Sequence, residues 1–526
     1  MRLNSAVKSI AYSVLVLAGL HVNVTVAKDK LSFLEHTIEA DIELVQPTIS
    51  ANIMDNEGNE GNELIVIGID DNAQRWLYIY GFKQNKLSLL DKQPLSQALF
   101  RYDVYQPEGD GQQLQKLYFL SADTLWQYQV GHPALASISE QATQSKISKV
   151  ASISSITLTP QADFISRGEF VKDINNDGVA DIILSDFKAT HVLLANDDLA
   201  TELQTFTSQS LPLLPNIELT DNGAQYSQPT LFFADANFDN RDDIIKVGEG
   251  LLEVYFQQDN GQFLLSATFI PVSQPISGVN WWNKRDIYGG QLDQSNLMYR
   301  KVEKLDDING DGITDLVVRY TKSSGVFDKS NDYEVYLGRN KDNTLSFGRK
   351  PNSVIRAEGT LSGLSFVDLD KDNIDEVLVS GFDIGVSQIV GALLSGSIDQ
   401  DVYVFKMDKQ FKFPKQANVT KEVELSFSLS SGQTGEPVIT LGDLNGDGFQ
   451  ELLLSDTEKR LKIFPGQSGG TPFSSRSDEL EFTLPKEGSL VSVTDINHDG
   501  KDDLLVHYGR QDDKALQRKI LVFIAE

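Results

Sequence analysis

The chain alternates short acidic strings with short apolar runs, always in that order. Six nine-residue strings open on Asp: DINNDGVAD at 173–181, DANFDNRDD at 235–243, DINGDGITD at 307–315, DLDKDNIDE at 368–376, DLNGDGFQE at 443–451 and DINHDGKDD at 495–503. An apolar run follows each, as in IIL at 182–184, LVV at 316–318, LLL at 452–454 and LLV at 504–506. Short apolar runs rich in β-formers and bounded by turn residues read as buried strands. A strand also leads into the string (169–172, 231–234, 364–367). A third follows, such as HVLLA at 191–195, LEVYF at 252–256, YEVYLG at 333–338 or LKIFPG at 461–466, and then a ragged fourth, such as QFLLSATF at 262–269. No long amphipathic helical pattern interrupts this order, so each string is expected at the tip of a hairpin in a four-stranded antiparallel unit.

The strings start 62, 72, 61, 75 and 52 residues apart. Repetition on this scale means a solenoid, propeller or array, and four antiparallel strands per unit make a propeller blade. Weaker copies precede the first string. DNEGNEGNE at 55–63 keeps the spacing, but Glu57, Asn59 and Glu60 are poor replacements; QPEGDGQQ at 106–113 sits between two apolar runs. The expected fold is an all-β propeller of seven to eight four-stranded blades, eight favoured. Only two strands follow the last string, at 504–508 and 519–524, so the segment 31–40 is expected to supply the missing outer strand and close the ring. The division is a signal peptide at 1–27 and one propeller at 28–526, with degenerate blades at about 46–160 and motif blades at about 161–526.

The strings carry oxygen at fixed places. Positions 1, 3, 5 and 9 offer Asp173, Asn175, Asp177 and Asp181; Asp235, Asn237, Asp239 and Asp243; Asp307, Asn309, Asp311 and Asp315. The later copies offer Asp368, Asp370, Asp372 and Glu376; Asp443, Asn445, Asp447 and Glu451; Asp495, Asn497, Asp499 and Asp503. Position 7 would contribute only its backbone carbonyl, and its side chain varies freely: Val179, Arg241, Ile313, Ile374, Phe449 and Lys501. Position 6 is always Gly or Asn, the residues that best accept the positive φ a loop curling round an ion requires. Calcium takes six to eight hard oxygen ligands in a forgiving geometry. An EF-hand would place Glu at position 12 in a helix; here position 12 is Leu184, Lys246, Val318, Val379, Leu454 or Val506. About six Ca2+ sites are expected. In the second copy, Arg241 and Asp242 alter the charge balance.

Net charge is −29, and the ligand positions alone supply 19 of the 75 acidic residues. Six Ca2+ would bring −29 to −17, a balance that still excludes nucleic acid, whose binding rests on Lys and Arg. Arg2 and Lys8, the apolar run 10–20 and Thr25-Val26-Ala27 read as a cleavable signal, so the chain is expected to be exported: periplasmic, cell-surface or secreted. No other stretch suits a membrane span. There are no cysteines, so rigidity must come from elsewhere, and ions that bind only the folded state supply it by mass action.

The pattern D-x-[ND]-x-D-[GN]-x-x-[DE] followed by a β-run resembles the FG-GAP/VCBS-type repeat of secreted proteins and is similar to the calcium-binding blades of integrin α-subunit propellers. The resemblance is strong over 173–526 and weak over 31–174. It implies that each loop joins the first two strands of a blade and chelates Ca2+ through positions 1, 3, 5, 7 and 9. Flanking Phe-Gly and Gly-Ala-Pro elements are mostly absent. The resemblance implies fold and ion, and leaves function open among binding modules and carbohydrate-active proteins.

No catalytic constellation is evident. Gly466-Gln467-Ser468-Gly469-Gly470 matches G-x-S-x-G, but Thr471-Pro472-Phe473 follows where a nucleophile elbow needs a helix. The six histidines are scattered, and His498 at a loop tip is expected to be solvated. Two insertions stand out: 273–300, with Trp281, Trp282 and Tyr288 as candidate partner-binding residues, and 382–401, with IVGALLSGS at 389–397. The Trp pair either stacks on a ligand or plugs the core under a long loop. The expected function is a calcium-binding binding or scaffold module for an unidentified protein or glycan; the alternative is a lectin or a polysaccharide lyase or hydrolase.

Overall fold

The computed structural model describes residues 30–54, 61–83, 86–105, 114–129, 146–156, 165–196, 204–220, 223–283, 293, 296–325, 328–357, 360–382, 397–428 and 433–526. The leader at 1–27, the 55–60 part of DNEGNEGNE, QPEGDGQQ, Tyr288 and all but the last residue of IVGALLSGS lie outside them.

Among the described residues the structure is β throughout, apart from short 3-10 turns such as Trp281–Asn283 and Gly488–Leu490. Each acidic string does cap a hairpin. In the Asp173 unit, Val171–Lys172, Asp181–Ser185, Thr190–Asn196 and Thr205–Leu211 pair antiparallel in that order. The Asp235 unit repeats this with Leu231–Ala234, Asp243–Val247, Leu251–Tyr255 and Thr268–Pro271. The Asp307 unit uses Met298–Asp306, Asp315–Gly325, Asp328–Tyr336 and Ser353–Ile355. The Asp368 unit uses Thr360–Val367, Glu376–Phe382, Ser397–Phe405 and Val419–Ser428. The Asp443 unit uses Ile439–Gly442, Glu451–Thr457, Arg460–Phe464 and Asp478–Glu481.

Two units precede these. One is built on Ile49–Ala51, Glu63–Ile69, Arg75–Lys83 and Lys86–Leu95; the other on Arg101–Val104, Leu117–Leu120, Thr124–Tyr128 and Ile147–Ser152. The Asp495 unit draws on both ends of the chain. Val491–Thr494, Asp503–His507 and Lys519–Ala525 are completed by Phe33–Glu39, in register from Phe33↔Ala525 to Glu39↔Lys519. The outer strand expected from 31–40 is therefore present. Two short hairpins, Asn216–Thr220 with Gly223–Ser227 and Gly338–Asn340 with Leu345–Phe347, add to the expected strands.

The apolar runs are unbroken because the second strand of each unit is buried on both faces. Successive side chains of a strand point to opposite sides. Leu504 and Val506 join an apolar cluster with Leu453, Leu461 and Ile463 of the Asp443 unit, while Leu505 joins Ile38, Leu64, Val66 and Tyr78. Ile182 likewise packs with Tyr118 and Leu120, and Ile183 with Ile244 and Tyr255. Neighbouring units thus share apolar clusters, and the cluster holding Ile496, Leu505, Ile520 and Val522 extends into the first unit.

Candidate metal centres

The six loops share one backbone design. The position-1 carboxylate accepts the N–H of position 5 on one oxygen and that of position 6 on the other. At Asp173 these donors are Asp177 (3.1 Å) and Gly178 (2.8 Å); at Asp307, Asp311 (3.2 Å) and Gly312 (2.7 Å). The pairs Asp239/Asn240, Asp372/Asn373, Asp447/Gly448 and Asp499/Gly500 do the same for Asp235, Asp368, Asp443 and Asp495. Position 5 in turn accepts the N–H of position 7, as in Val179 to Asp177 at 2.8 Å. Position 6 has positive φ throughout, from 62° at Asn373 to 90° at Gly448. So does position 4: Asn176, Phe238, Gly310, Lys371, Gly446 and His498. This second left-handed turn was not legible in the sequence, because Phe238 and Lys371 are poor markers of such a backbone. Together the two turns curl successive N–H groups onto the first carboxylate.

Position 9 opens the second strand of each hairpin, and its side chain is 0 % exposed in all six copies. One oxygen accepts the N–H of position 2: Ile174 to Asp181 at 3.1 Å, Leu444 to Glu451 at 2.9 Å, Ile496 to Asp503 at 2.9 Å. In five copies the other oxygen accepts an N–H from the end of the third strand: Ala195, Gln257, Gly338, Gly466 or Ala525. This carboxylate is a latch between strands as well as a candidate ligand. Burial pushes Asp181, Asp243, Asp315 and Asp503 up to about 7, against the pull of these N–H donors. A nearby cation would relieve that cost, since an opposite charge favours the ionised form.

The side-chain donors at the ligand positions are all oxygen, the set a hard cation prefers. Position 3 supplies an amide in five copies. Its nitrogen points to the position-5 carboxylate in four of them, as in Asn175 to Asp177 at 2.8 Å, and to Glu451 from Asn445 at 2.9 Å. The residues fit calcium: positions 1, 3, 5 and 9 and the carbonyl of position 7 would hold it, and it would supply charge and cross-linking.

Among the described residues three loops have a cation at a ligand position; in the Asp443 loop it is the exposed Lys371 of the preceding loop, 3.5 Å from Asp443, and in the other two it comes from the same unit. Arg241 pairs with Asp239 at 2.6 Å and reaches outward to Asp259 at 3.0 Å, touching one ligand position. Lys406 enters the Asp368 loop, with Nζ 2.7 Å from Asp370, 2.9 Å from Glu376 and 3.5 Å from Asp372. Burial works against its charge, but the bonds to Asp370 and Glu376 hold the ammonium above its usual range.

The loops also touch one another. In two successive loops the position-8 N–H donates to the position-2 carbonyl of the loop before, Asp375 to Ile308 at 3.0 Å and Gln450 to Leu369 at 3.0 Å, and in the next Asp502 donates to the position-1 carbonyl of Asp443 at 2.8 Å. In DNEGNEGNE, Asn62 holds position 8, and its N–H donates to Ile496 at 2.7 Å. The weakest string therefore docks on the last one. Its position-9 residue, Glu63, is 0 % exposed and accepts the N–H groups of Ile53 (2.8 Å) and Met54 (3.0 Å); burial pushes it up to about 7. His498, expected in solvent, instead bonds Asn62 Oδ1 at 2.8 Å, because the two loops meet across the chain ends.

A model of the FG-GAP-like repeat matches residues 307–379 and 443–506. This chain carries FG-GAP-like repeats. Each matched stretch opens at position 1 of one loop and closes three residues past position 9 of the next, so the FG-GAP-like signal spans loop pairs. No curated protein matches the sequence. A solved structure described as "Crystal Structure of TcdB2-TccC3" is similar at 13% identity and a TM-score of 0.25, over 93% of this chain and 21% of that one; this chain spans about a fifth of its length.

The remaining candidates are plainly situated. Trp282 is 6 % exposed and stacks on Tyr299 with ring centres 4.0 Å apart and planes at 8°; Trp281 meets both rings edge-on. Ser468 lies in a loop closed by the Gly466↔Phe473 bridge. Gly466 serves the backbone: a Cβ there would lie 2.5 Å from the Gln450 carbonyl. Among the described residues no helix is long and apolar enough to cross a membrane.

Proposed function

We propose that the chain is an exported β-propeller of eight four-stranded blades, closed by its N-terminal strand, in which calcium fastens the hairpin loops. It acts as a rigid binding or scaffold module with no chemistry of its own. The observation that carries the reading is the common design of the six loops, each setting oxygen-bearing side chains at positions 1, 3 and 5 beside a wholly buried position-9 carboxylate. Support for eight comes from the described strands, which fall into eight hairpin-built units, two of them joined in one sheet through Asn331 and Thr360, with apolar clusters shared from each unit to the next and from the last to the first. Calcium here is a staple: it offsets the desolvation of the position-9 carboxylates and holds two strands to one point. Millimolar extracellular calcium would keep such loops filled, which suits the signal-like leader. The acidic surface favours a protein or neutral glycan over a polyanion as partner.

Calorimetric calcium titration of the chelator-stripped mature chain, with melting curves at each step, tests this. We expect about one ion per intact loop and a large rise in Tm. Negligible binding, or binding without stabilisation, would reduce the loops to turns and remove the calcium reading.

A further inference from the structure

We infer that Lys406 is the resident cation of the Asp368 loop, which therefore needs no calcium; the inference rests on the calcium reading of the other five loops. Continuing each antiparallel register by one residue places Leu194, Phe256, Leu337, Lys406, Pro465 and Ile524 opposite the position-9 carboxylates. Directly opposed residues project to the same face of a sheet. Five of the six are apolar and bring no charge to the carboxylate. The sixth starts a long cationic side chain beside Glu376. Its ammonium has three N–H donors, and carboxylates from ligand positions 3, 5 and 9 lie 2.7, 3.5 and 2.9 Å away. The Lys406 side chain is 19 % exposed and that of Glu376 0 %, so solvent screens the pair little.

The loop itself is altered to match. Position 3 is Asp370 here and Asn in the other five copies, so this loop holds four carboxylates where the others hold three. Oxygens of Asp368, Asp370 and Glu376 lie within 4.8 Å of one another. Extra negative charge and an intruding ammonium occur in the same copy, as a compensated pair would. A tethered cation has a fixed, high local concentration, so it does not leave when free calcium falls. The loop it fills sits between two others: its Asp375 N–H reaches Ile308, and its Leu369 carbonyl receives Gln450. Lys406 would thus keep the middle of the array fastened while the flanking loops respond to calcium.

The test is the number of calcium ions bound per chain, by titration calorimetry and native mass spectrometry, in three full-length mature proteins. These are the wild type, Lys406→Met, and the double variant Asp370→Asn with Lys406→Leu, which restores the residue pattern of the other loops. We expect five ions on the wild type and six on each variant. We also expect Lys406→Met to melt several degrees below the wild type in chelator and to recover with calcium. A count that does not differ among the three overturns the inference. If Lys406→Met does not fold at all, the double variant carries the count. If none of the three binds calcium, the calcium reading of the whole array falls. The melt in chelator then decides alone: Lys406→Met melting like the wild type overturns the resident cation, and a lower Tm sustains it.

Discussion

At the scale of single residues, the position-9 carboxylate is a latch between strands as well as a proposed calcium ligand. Asp503 accepts the N–H of Ile496 at 2.9 Å and of Ala525 at 2.9 Å, holding the loop, the second strand and the C-terminal strand to one side chain. Asp503→Ala leaves both donors buried and unmet. A buried donor left without a partner costs roughly 1–3 kcal/mol, so a loss of about 3 kcal/mol is expected from denaturant unfolding. The sequence marks Asp503 only as a candidate ligand; its role as a latch depends on where Ala525 lies, which spacing does not report. His507 is a pH-sensitive point. It is 4 % exposed opposite Ile520, and burial pushes it down to about 4. The folded state favours the neutral ring, so its contribution is fully present above about pH 6.5 and is lost as pH falls from there toward 4. The shift corresponds to about 3 kcal/mol. The buried Asp carboxylates run the other way: with folded values about 7, their ionisation costs stability as pH rises from about 4 to 7 when no cation is near. Comparing stability against pH for the wild type and His507→Leu isolates the histidine: the two curves should converge above pH 7 and separate in favour of the variant near pH 4.

At the scale of elements, the hairpins follow from period and turn chemistry alone. Asp/Gly-rich strings cannot continue a strand, the runs after them are fully apolar, and both faces of those runs are covered. The pairing of Phe33–Glu39 with Lys519–Ala525 was inferable because the last unit lacks a strand and the chain has one to spare. Removing residues 30–39 would leave the run Ile520–Ile524 at an open edge, and exposed apolar edges template association. The truncated chain should elute as aggregates by size exclusion with light scattering, where the intact chain elutes as a defined species. A truncated chain that remained as well behaved as the intact one would show that this edge is protected by something else. Register is the part that sequence hides: Lys406 reads as one more surface lysine until the pairing of Val377 with Phe405 brings it opposite Glu376.

At the scale of the whole molecule, the decisive contacts join the two ends. Asn62 donates to Ile496 across 434 positions of sequence, repeating the bond that Asp375 makes to Ile308 between successive loops. Gly61 makes that approach possible. Its φ is +145°, and a Cβ there would lie 2.1 Å from the Ile496 carbonyl. Gly61→Ala should therefore part the seam and cost more than about 2 kcal/mol. Thermal melts should show the loss, whereas Gly178→Ala, with open space around it, should pay only for its backbone conformation.

The sequence by itself determined the unit: acidic string, apolar run, four strands, oxygen donors at set positions, and a spare strand at one end. These are local matters, settled by turn chemistry, side-chain period and charge. Only the tertiary structure decided which carboxylates are buried, which backbone donors they latch, which string docks on which, and that a lysine 30 residues beyond Glu376 lies against it. Those outcomes depend on strand register and on the stacking of one sheet on the next, and neither leaves a mark within a window of nine residues.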